Sequence, residues 1–467
     1  MFEVTLEQVA QITGGQLVGD PNLKIVGVFT DSREVTPGGI FAAIVGARSD
    51  AHNYVDQALA SGAVASLVSK SVVGPHVLVT QTVNDIDPVI YAIGRLAQYQ
   101  RTLMNHVNVV GITGSSGKTS TKDLIGQVLQ HHASTVVPAG SANNELGMPL
   151  TILNATNDVK NLVLEMGMRG FGHIQYLCEI ANPTISVVTN VGHAHIGEVG
   201  SQENIAKAKS EIVRDLDSSA TAILNADDPF LVVMRDVTKA NVVTYGLSES
   251  ANVRASNVVM HSDGTSEFDV SVEGRSVHIS LPLLGQHSIY NALAAVAVAQ
   301  TIGMDLESIA QALKSATPAS VWRMQVKQLP GGIKLINDAY NANPESMAAA
   351  LRTLVGVADR GHSWAVLGLM AELGEYSQEQ HDALGRLAVR LDVGHLVCVG
   401  DEAKIIHLGA SQEGSWNGES VWFPDFASAS DYIVEKVTSD DVVLFKASRA
   451  AHFEELCDLV EQKLMAR

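Results

Sequence analysis

The sequence predicts an α/β protein of three domains: a small N-terminal α/β domain, a central domain built on a parallel sheet, and a C-terminal Rossmann-like domain. A chain of 467 residues is longer than one hydrophobic core usually serves. Short apolar segments alternate with helical patterns along most of the chain, which is typical of parallel sheets with crossover helices. We expect the domains at 1–82, 83–315 and 316–467.

The apolar segments set the order of the predicted elements. In the first block we expect a helix over 54–60 and a strand over 65–68, and a helix over 85–101 then leads into the central block. Polar-flanked alternation over 250–282 predicts an antiparallel extension of the central sheet, and an alanine-rich helix over 288–301 closes that block. The other expected strands are 106–112, 161–164, 184–188 and 221–224, then 333–336, 365–367, 396–399 and 442–445. The last four predict a second doubly wound sheet.

Composition limits the kind of partner and the compartment. The chain has 31 Lys and Arg against 50 Asp and Glu, so its net charge of −19 argues against a nucleic-acid or anionic-membrane binder. Cys178, Cys398 and Cys457 lie far apart without a C-x-x-C pair, as expected for reduced thiols. The N-terminus lacks the pattern of a signal peptide, and the most apolar helical stretch, 289–299, is too short to span a bilayer. We expect a soluble, cytoplasmic protein without a membrane span.

The most informative motif lies at 109–120, where an apolar strand passes through a Gly/Ser turn into a helix that begins at Lys118. Backbone N–H groups of such a turn can surround a phosphate, and the helix N-terminus adds partial positive charge. Lys118 can reach the terminal phosphates and the Thr119 hydroxyl can bind Mg²⁺, although Ile112 stands where the common pattern has glycine. The alternative is an ordinary strand–turn–helix with a surface lysine. We expect a phosphate-loop ATPase site, with the Lys118 side chain exposed when the site is empty. Its residues are Gly114, Ser115, Ser116, Gly117, Lys118, Thr119 and Ser120.

Two further strands end in residues that can bind a metal ion. Strand 161–164 is followed by Glu165, and strand 184–188 is followed by a loop with His193 and His195. Ligands of open parallel sheets lie at the carboxyl ends of the strands, so Glu165 is expected to bind Mg²⁺ beside the phosphates, and a solvated glutamate is the alternative. Either histidine could be a plain loop residue. Taken alone, the lysines at 207 and 209 are solvated helix residues.

Over its whole length the chain resembles the Mur ligases, the ATP-dependent amide-forming enzymes of peptidoglycan precursor synthesis. The resemblance is strongest to the branch that adds D-alanyl-D-alanine to the UDP-N-acetylmuramoyl tripeptide. Three positions depart from the family pattern: Ser288 replaces an asparagine, Asn337 an aspartate and Ala447 a glycine. The segments that carry the resemblance are 30–33, 113–119, 143–151, 190–196, 208–212, 285–292, 337–346, 368–375 and 446–449.

The resemblance implies a catalytic and metal set of Lys118, Thr119, Glu165, His195, Lys209 and Arg323. In that set two Mg²⁺ ions are bound, and Lys209 is carbamylated so that it offers oxygen ligands. The resemblance also implies that Asn291 contacts adenine, Asp338 holds the ATP ribose and Arg323 reaches the phosphates. The implied substrate-binding residues are Ser32 and Arg33 for the UDP part, Asn143 and Asn144 for the muramyl part, and Tyr340, Asn341, Asn343, Lys446, Ser448 and Arg449 in the third block.

The implied reaction joins the two substrates through an acyl phosphate and yields ADP, phosphate and the UDP-N-acetylmuramoyl pentapeptide. We expect a monomer. Another Mur ligase or a folylpolyglutamate-type ligase would share the central block but not the segments 337–346 and 446–449. A phosphate-loop switch or motor ATPase is the alternative of a different class. Such proteins usually place an aspartate after the strand that here ends in Glu165.

Overall fold

The computed structural model describes all 467 residues, and the N-terminal block forms a five-stranded sheet beside a two-stranded ladder. Its strands are β1 (Val4–Thr5), β2 (Gln16–Val18), β3 (Lys24–Ile25), β4 (Gly27–Phe29), β5 (Gly39–Ala42), β6 (Ala65–Val68) and β7 (His76–Leu78), and its helices are α1 (Leu6–Thr13) and α2 (Val55–Ala60). The larger sheet has the order β2-β7-β6-β5-β4 and is parallel except for β2. Helix α1 begins at a capping box in which Thr5 and Gln8 bind each other's backbone N–H.

The central block forms a nine-stranded sheet. Its strands are β8 (Asn108–Thr113), β9 (Thr135–Val136), β10 (Asn161–Glu165), β11 (Ile185–Val188), β12 (Thr221–Asn225), β13 (Asn241–Gly246), β14 (Val253–Met260), β15 (Ser266–Val272) and β16 (Arg275–Leu281). The order is β16-β15-β14-β13-β12-β11-β8-β10-β9, parallel from β9 to β14 and antiparallel beyond. Strand β8 therefore lies between β10 and β11, so the loops that follow these three strands meet at one edge of the sheet.

Nine helices surround this sheet. They are α3 (Pro88–Thr102), α4 (Lys118–Gln130), α5 (Gly147–Leu153), α6 (His173–Ala181), α7 (Ile196–Val199), α8 (Gln202–Arg214), α9 (Leu231–Val237), α10 (Gln286–Ile302) and α11 (Leu306–Lys314). Helix α3 begins three residues later than the sequence predicts, because the Asp87 carboxylate accepts from the N–H groups of Val89 and Ile90 and Pro88 occupies the first helical position. None of the helices combines the length and the apolar composition that a membrane span requires.

The C-terminal block forms a six-stranded sheet of order β17-β18-β22-β19-β20-β21, parallel except for β17. Its strands are β17 (Gln325–Gln328), β18 (Lys334–Asn337), β19 (Ser363–Leu367), β20 (His395–Val399), β21 (Glu419–Phe423) and β22 (Val442–Lys446), with helices α12 (Pro344–Val357), α13 (Ser377–Arg390), α14 (Lys404–Gln412), α15 (Phe426–Lys436) and α16 (Phe453–Met465). Because the last strand lies between the first two parallel ones, the loops after β18, β19 and β22 border one crevice.

The predicted α/β class, the antiparallel extension and the second doubly wound sheet are confirmed. In the N-terminal block only β6 was predicted as a strand. In the other two blocks β9, β13, β17 and β21 were not predicted, and three of these four are short or lie at a sheet edge. One continuous apolar core runs through all three blocks, from Val4 to Leu444. The blocks are thus packed against one another, and the boundaries at 82 and 315 stay a prediction.

Candidate active site

A cavity of about 1020 Å³ lies between the central and C-terminal sheets. The predicted site residues that line it are Ser115, Ser116, Gly117, Lys118, Thr119, Ser120, Asn143, Asn144, Glu165, His195, Asn291, Arg323, Asp338, Tyr340, Asn341, Asn343, Lys446, Ser448 and Arg449. Four others do not line it: Gly114, Lys209, Ser32 and Arg33. Most of the predicted set therefore meets at the crevice between the two sheets.

The phosphate loop connects β8 to α4 as the sequence predicts. Gly114 and Gly117 have φ of +154° and +77°, and a Cβ at Gly114 would lie 1.8 Å from the Thr189 hydroxyl, so only glycine fits there. The Lys118 side chain differs from the expectation. It is half-buried rather than exposed, because its ammonium folds back and donates to the Gly114 carbonyl at 2.7 Å. Burial lowers the pKa of Lys118, and the Glu165 carboxylate opposes that shift.

Glu165 is buried at the carboxyl end of β10, with 1% of its surface exposed. One carboxylate oxygen accepts from the Thr119 hydroxyl at 2.8 Å. The other accepts from the Ser141 hydroxyl at 3.1 Å and the Asn143 amide at 2.7 Å. The alternative of a solvated glutamate is therefore wrong. A buried carboxylate beside a hydroxyl is an oxygen donor set that suits Mg²⁺.

The structure separates the two histidines that sequence reasoning alone left equivalent. His195 has φ of +67° at the start of α7, and its Nδ1 lies 2.7 Å from a Glu372 carboxylate oxygen, although the two atoms are not aligned for a hydrogen bond. His193 points to another acid, with its Nδ1 2.5 Å from Glu345. The contact with His195 holds the pKa of the Glu372 carboxyl below its ordinary value, and Arg169 and Lys118 lower it further. Of the two rings, only that of His195 lines the cavity.

Lys209 and Lys207 occupy different environments on α8. Lys209 is 1% exposed, whereas Lys207 lies on the exposed face. Burial lowers the pKa of the Lys209 ammonium well below its ordinary value, and the positive charge of Lys118 lowers it further, with no acid opposing the shift. Lys209 is therefore not a solvated surface lysine, and its amine is favoured in the neutral form.

Arg323 reaches from the C-terminal block into the phosphate loop. Its guanidinium donates to the Thr119 hydroxyl at 2.8 Å and lies 4.2 Å from the centre of the Tyr340 ring. Its Nε is buried without a hydrogen-bond partner. A cation held against an aromatic ring beside the phosphate loop can bind an anion that enters the cavity.

The loops after β18 and β22 are bound to each other. The Lys446 ammonium donates to Asp338 at 2.6 Å and to the Asn341 carbonyl at 2.9 Å. Asn343 caps α12 and its amide also donates to the Ser115 carbonyl at 3.3 Å, which links the C-terminal block directly to the phosphate loop. The Ser448 hydroxyl donates to the Ala342 carbonyl at 3.2 Å. Segments 337–346 and 446–449 thus form one wall of the cavity.

The remaining predicted residues lie farther from this wall or have other partners. Asn291 accepts from the Thr121 hydroxyl at 3.0 Å and so packs on the phosphate-loop helix. Arg449 stacks on the Trp322 ring, with its guanidinium carbon 4.5 Å from the ring centre. Arg33 is exposed and pairs with Asp31 in the N-terminal block.

Sequence reasoning missed several residues that shape the site. Lys122 is fully buried, and its ammonium donates to the carbonyls of Pro138 at 2.8 Å and Gly140 at 2.7 Å, which fixes the loop that brings Ser141 to Glu165. Its spacing of four residues from Lys118, on the same helix face, is the signal that could have indicated it. The acids Glu345 and Glu372 carried no such signal, because their partners lie in another block.

Comparison with known families agrees with this geometry. Residues 112–299 match the Mur ligase middle domain, and residues 322–449 match the Mur ligase, glutamate ligase domain. Both matched regions border the cavity, one from the side of the phosphate loop and the other from the side of Arg323 and Asp338.

Relatives that are 29% to 40% identical match nearly the whole chain. A protein of Mycobacterium bovis named UDP-N-acetylmuramoyl-tripeptide--D-alanyl-D-alanine ligase is 40% identical over 98% of each chain. MurF from Acinetobacter baumannii is 31% identical with a TM-score of 0.89, covering 100% of this chain and 99% of its own. The MurF ligase from Thermotoga maritima, solved in complex with ADP, is 29% identical with a TM-score of 0.82, covering 94% and 98%.

Proposed function

The chain belongs to the Mur ligase family, and we propose that it joins D-alanyl-D-alanine to the UDP-N-acetylmuramoyl tripeptide with hydrolysis of ATP. The products are ADP, phosphate and the UDP-N-acetylmuramoyl pentapeptide used in peptidoglycan synthesis. The observation that carries this proposal is the cavity wall formed by segments 337–346 and 446–449, which faces the phosphate loop. Those two segments are where the sequence resembles this branch and not its sister ligases.

ATP would bind at the phosphate loop and supply the phosphoryl group. Its phosphates fit the turn at 115–117 and the start of α4, which line the cavity and where no side chain caps the N-terminus of the helix. Lys118 would leave the Gly114 carbonyl to pair with the phosphates, and Arg323 would meet them from the C-terminal block. Asn291 and Asp338 are proposed for adenine and ribose. The ADP bound to the Thermotoga maritima relative supports this use of the site.

Chemistry in the site proceeds in two steps. An oxygen of the tripeptide's terminal carboxylate attacks the γ-phosphorus, the bond from that phosphorus to ADP breaks, and an acyl phosphate and ADP result. The neutral amine of D-alanyl-D-alanine then attacks the acyl carbon, and collapse of the tetrahedral intermediate expels phosphate, which retains the carboxylate oxygen and takes up the proton that the amine loses. Lys118 and Arg323 stabilise the negative charge on the transferring group. Packing of the C-terminal block over the loop excludes water that would hydrolyse the acyl phosphate.

Two Mg²⁺ ions are proposed, because the buried oxygen donors and the histidine fit such a set. Thr119 and Glu165 would hold the ion at the phosphates, and Glu165, His195 and carbamylated Lys209 the second. Bound Mg²⁺ would neutralise phosphate charge and polarise the oxygens around phosphorus. Carbamylation joins the neutral Lys209 amine to CO₂ with loss of a proton. The lowered pKa of Lys209 favours the amine that this addition requires.

The two substrates are proposed to approach from opposite sides. Asn143 and Asn144 would face the muramyl tripeptide, whose UDP part extends to Ser32 and Arg33 of the N-terminal block. The dipeptide, which has a free carboxylate, would bind the third-block wall. The residues proposed there are Tyr340, Asn341, Asn343, Lys446, Ser448 and Arg449.

The proposal is tested by measuring phosphate release with ATP alone, with ATP and the tripeptide acceptor, with ATP and D-alanyl-D-alanine, and with all three. We expect release from ATP only when both the tripeptide acceptor and D-alanyl-D-alanine are present, and no product with diaminopimelate or D-glutamate as the amine. Steady ATP hydrolysis without acceptor would favour a switch or motor ATPase instead. Efficient use of diaminopimelate or D-glutamate would indicate a sister ligase.

A further inference from the structure

The loop that carries His195 is held from the C-terminal block at several points. We call residues 190–200 the histidine loop and residues 372–376 the clamp. The Gly197 N–H donates to the Glu372 carbonyl at 3.3 Å, and the Tyr376 hydroxyl donates to the Gly200 carbonyl at 3.3 Å. A Cβ at Gly197 would lie 2.8 Å from the Gly374 nitrogen, so the two backbones touch directly. The position of the histidine loop therefore depends on the docked C-terminal block.

Within this contact, one side chain reaches the ring of His195 itself. Glu372 has φ of +63°, a backbone conformation that costs energy for a side-chain-bearing residue, and its carboxylate lies 2.7 Å from His195 Nδ1. No acid of the central block occupies that place. Metal-binding histidines commonly donate the N–H of the other ring nitrogen to a carboxylate, which fixes the tautomer and the ring orientation. In His195 the Nδ1 side of the ring faces the Glu372 carboxylate at 2.7 Å, without hydrogen-bond alignment in this structure, so Nε2 is the nitrogen left to bind a metal ion.

We propose that Glu372 is a positioning residue for His195, so that the second metal site of the central block is completed by a carboxylate from the C-terminal block. The inference rests on the proposed role of His195 as a metal ligand. It adds that docking of the C-terminal block and metal binding are coupled: the metal binds tightest when the clamp holds the histidine loop. In this role Glu372 acts through His195 and is not itself a metal ligand.

The neighbouring residue Glu375 provides a matched control. It is exposed, lies three positions along the same clamp, and has the same side chain but no hydrogen bond or ion pair with the histidine loop. An alternative role for Glu372 is general electrostatic attraction of cations to the cavity. If that alternative held, removing the charge of Glu375 would also weaken metal binding in part. The orientation of the His195 ring, in contrast, would not depend on Glu375.

The test measures Mn²⁺ binding to the full-length protein with ADP present, by electron paramagnetic resonance, in wild type, E372A, E372Q, E375A and H195A. Pulsed measurements on the same samples report the ¹⁴N coupling of a histidine bound to Mn²⁺. We expect E372A to weaken the second Mn²⁺ about 10- to 100-fold. E372Q keeps the size of the side chain and an oxygen beside Nδ1, so it should lose less. The ¹⁴N coupling should fall in E372A and H195A and persist in E375A.

The outcomes separate the inference from the function on which it rests. If wild type shows no ¹⁴N coupling, the assignment of His195 as a metal ligand fails. If wild type shows the coupling and E372A keeps both coupling and affinity, the positioning role of Glu372 is wrong while the metal site stands. If E372A and E375A weakened Mn²⁺ binding equally and the ¹⁴N coupling stayed intact, the positioning role would also be wrong, and general electrostatic attraction would explain the result.

Discussion

Replacing Gly197 by alanine adds one methyl group where two blocks meet. The nearest atoms to that methyl carbon would be the Gly374 nitrogen at 2.8 Å and the Glu372 carbonyl oxygen at 2.9 Å. Both are backbone atoms, so neither can rotate away. The two segments must separate by roughly 0.6 Å to restore ordinary van der Waals contact. That movement would carry the histidine loop away from the clamp.

The size of the expected effect follows from the displacement. A misplacement of about 1 Å in an enzyme site can cost about 100-fold in rate, so a shift of roughly half that size predicts a loss of about tenfold in kcat/KM. Gly197 lies in helix α7, in a backbone conformation that alanine can also adopt. In a helix, alanine is more favourable than glycine by about 1 kcal/mol. We therefore expect lower activity with little change in the melting temperature of the protein.

The assay is phosphate release with both substrates saturating and then limiting, beside differential scanning calorimetry. Gly356→Ala in α12 is the matched control, because no atom lies within 4 Å of its added methyl carbon. It should keep wild-type activity. If Gly197→Ala were as active as wild type, direct contact between the histidine loop and the clamp would not matter for the reaction.

Three further substitutions test the central block. Lys118→Ala should lower phosphate release by about 100-fold or more while the melting temperature holds, since a charge that meets the transferring group is lost; near-normal release would refute the phosphate-loop assignment. Lys209→Ala should lose most activity and regain part of it with added short carboxylic acids, whereas exposed Lys207→Ala should keep it; equal losses without rescue would refute the carbamate. Lys122→Met leaves two carbonyls of the loop before Ser141 without their donor, so its free energy of unfolding should fall by about 2 kcal/mol in urea titrations; an unchanged midpoint would contradict that anchoring role.

Local signals account for what could be predicted from sequence. The strand, turn and helix around Lys118 follow from apolar patterning and two glycines, and the strand and helix end within two residues of the expected bounds. The burial of Lys209 beside exposed Lys207 follows from helical periodicity once one face of α8 is known to be apolar. Periodicity alone did not say which lysine belongs to that face.

Contacts between blocks could not be predicted in this way. The pairs His193–Glu345 and His195–Glu372 join residues that lie 152 and 177 positions apart, and their formation depends on how the C-terminal block docks. Strand β21 was missed for a related reason. Its five residues are half-buried or exposed at the sheet edge, so they lack the continuous apolar run of a central strand.

The acyl-phosphate ligation is tested most directly by following one oxygen atom. The protein is incubated with ATP, D-alanyl-D-alanine and a tripeptide acceptor whose terminal carboxylate carries ¹⁸O at both oxygens. The masses of the products are then measured by mass spectrometry. The mechanism predicts the UDP-N-acetylmuramoyl pentapeptide with one ¹⁸O left in the new amide and one ¹⁸O in the released phosphate. Unlabelled phosphate, or phosphate released without pentapeptide, would contradict it.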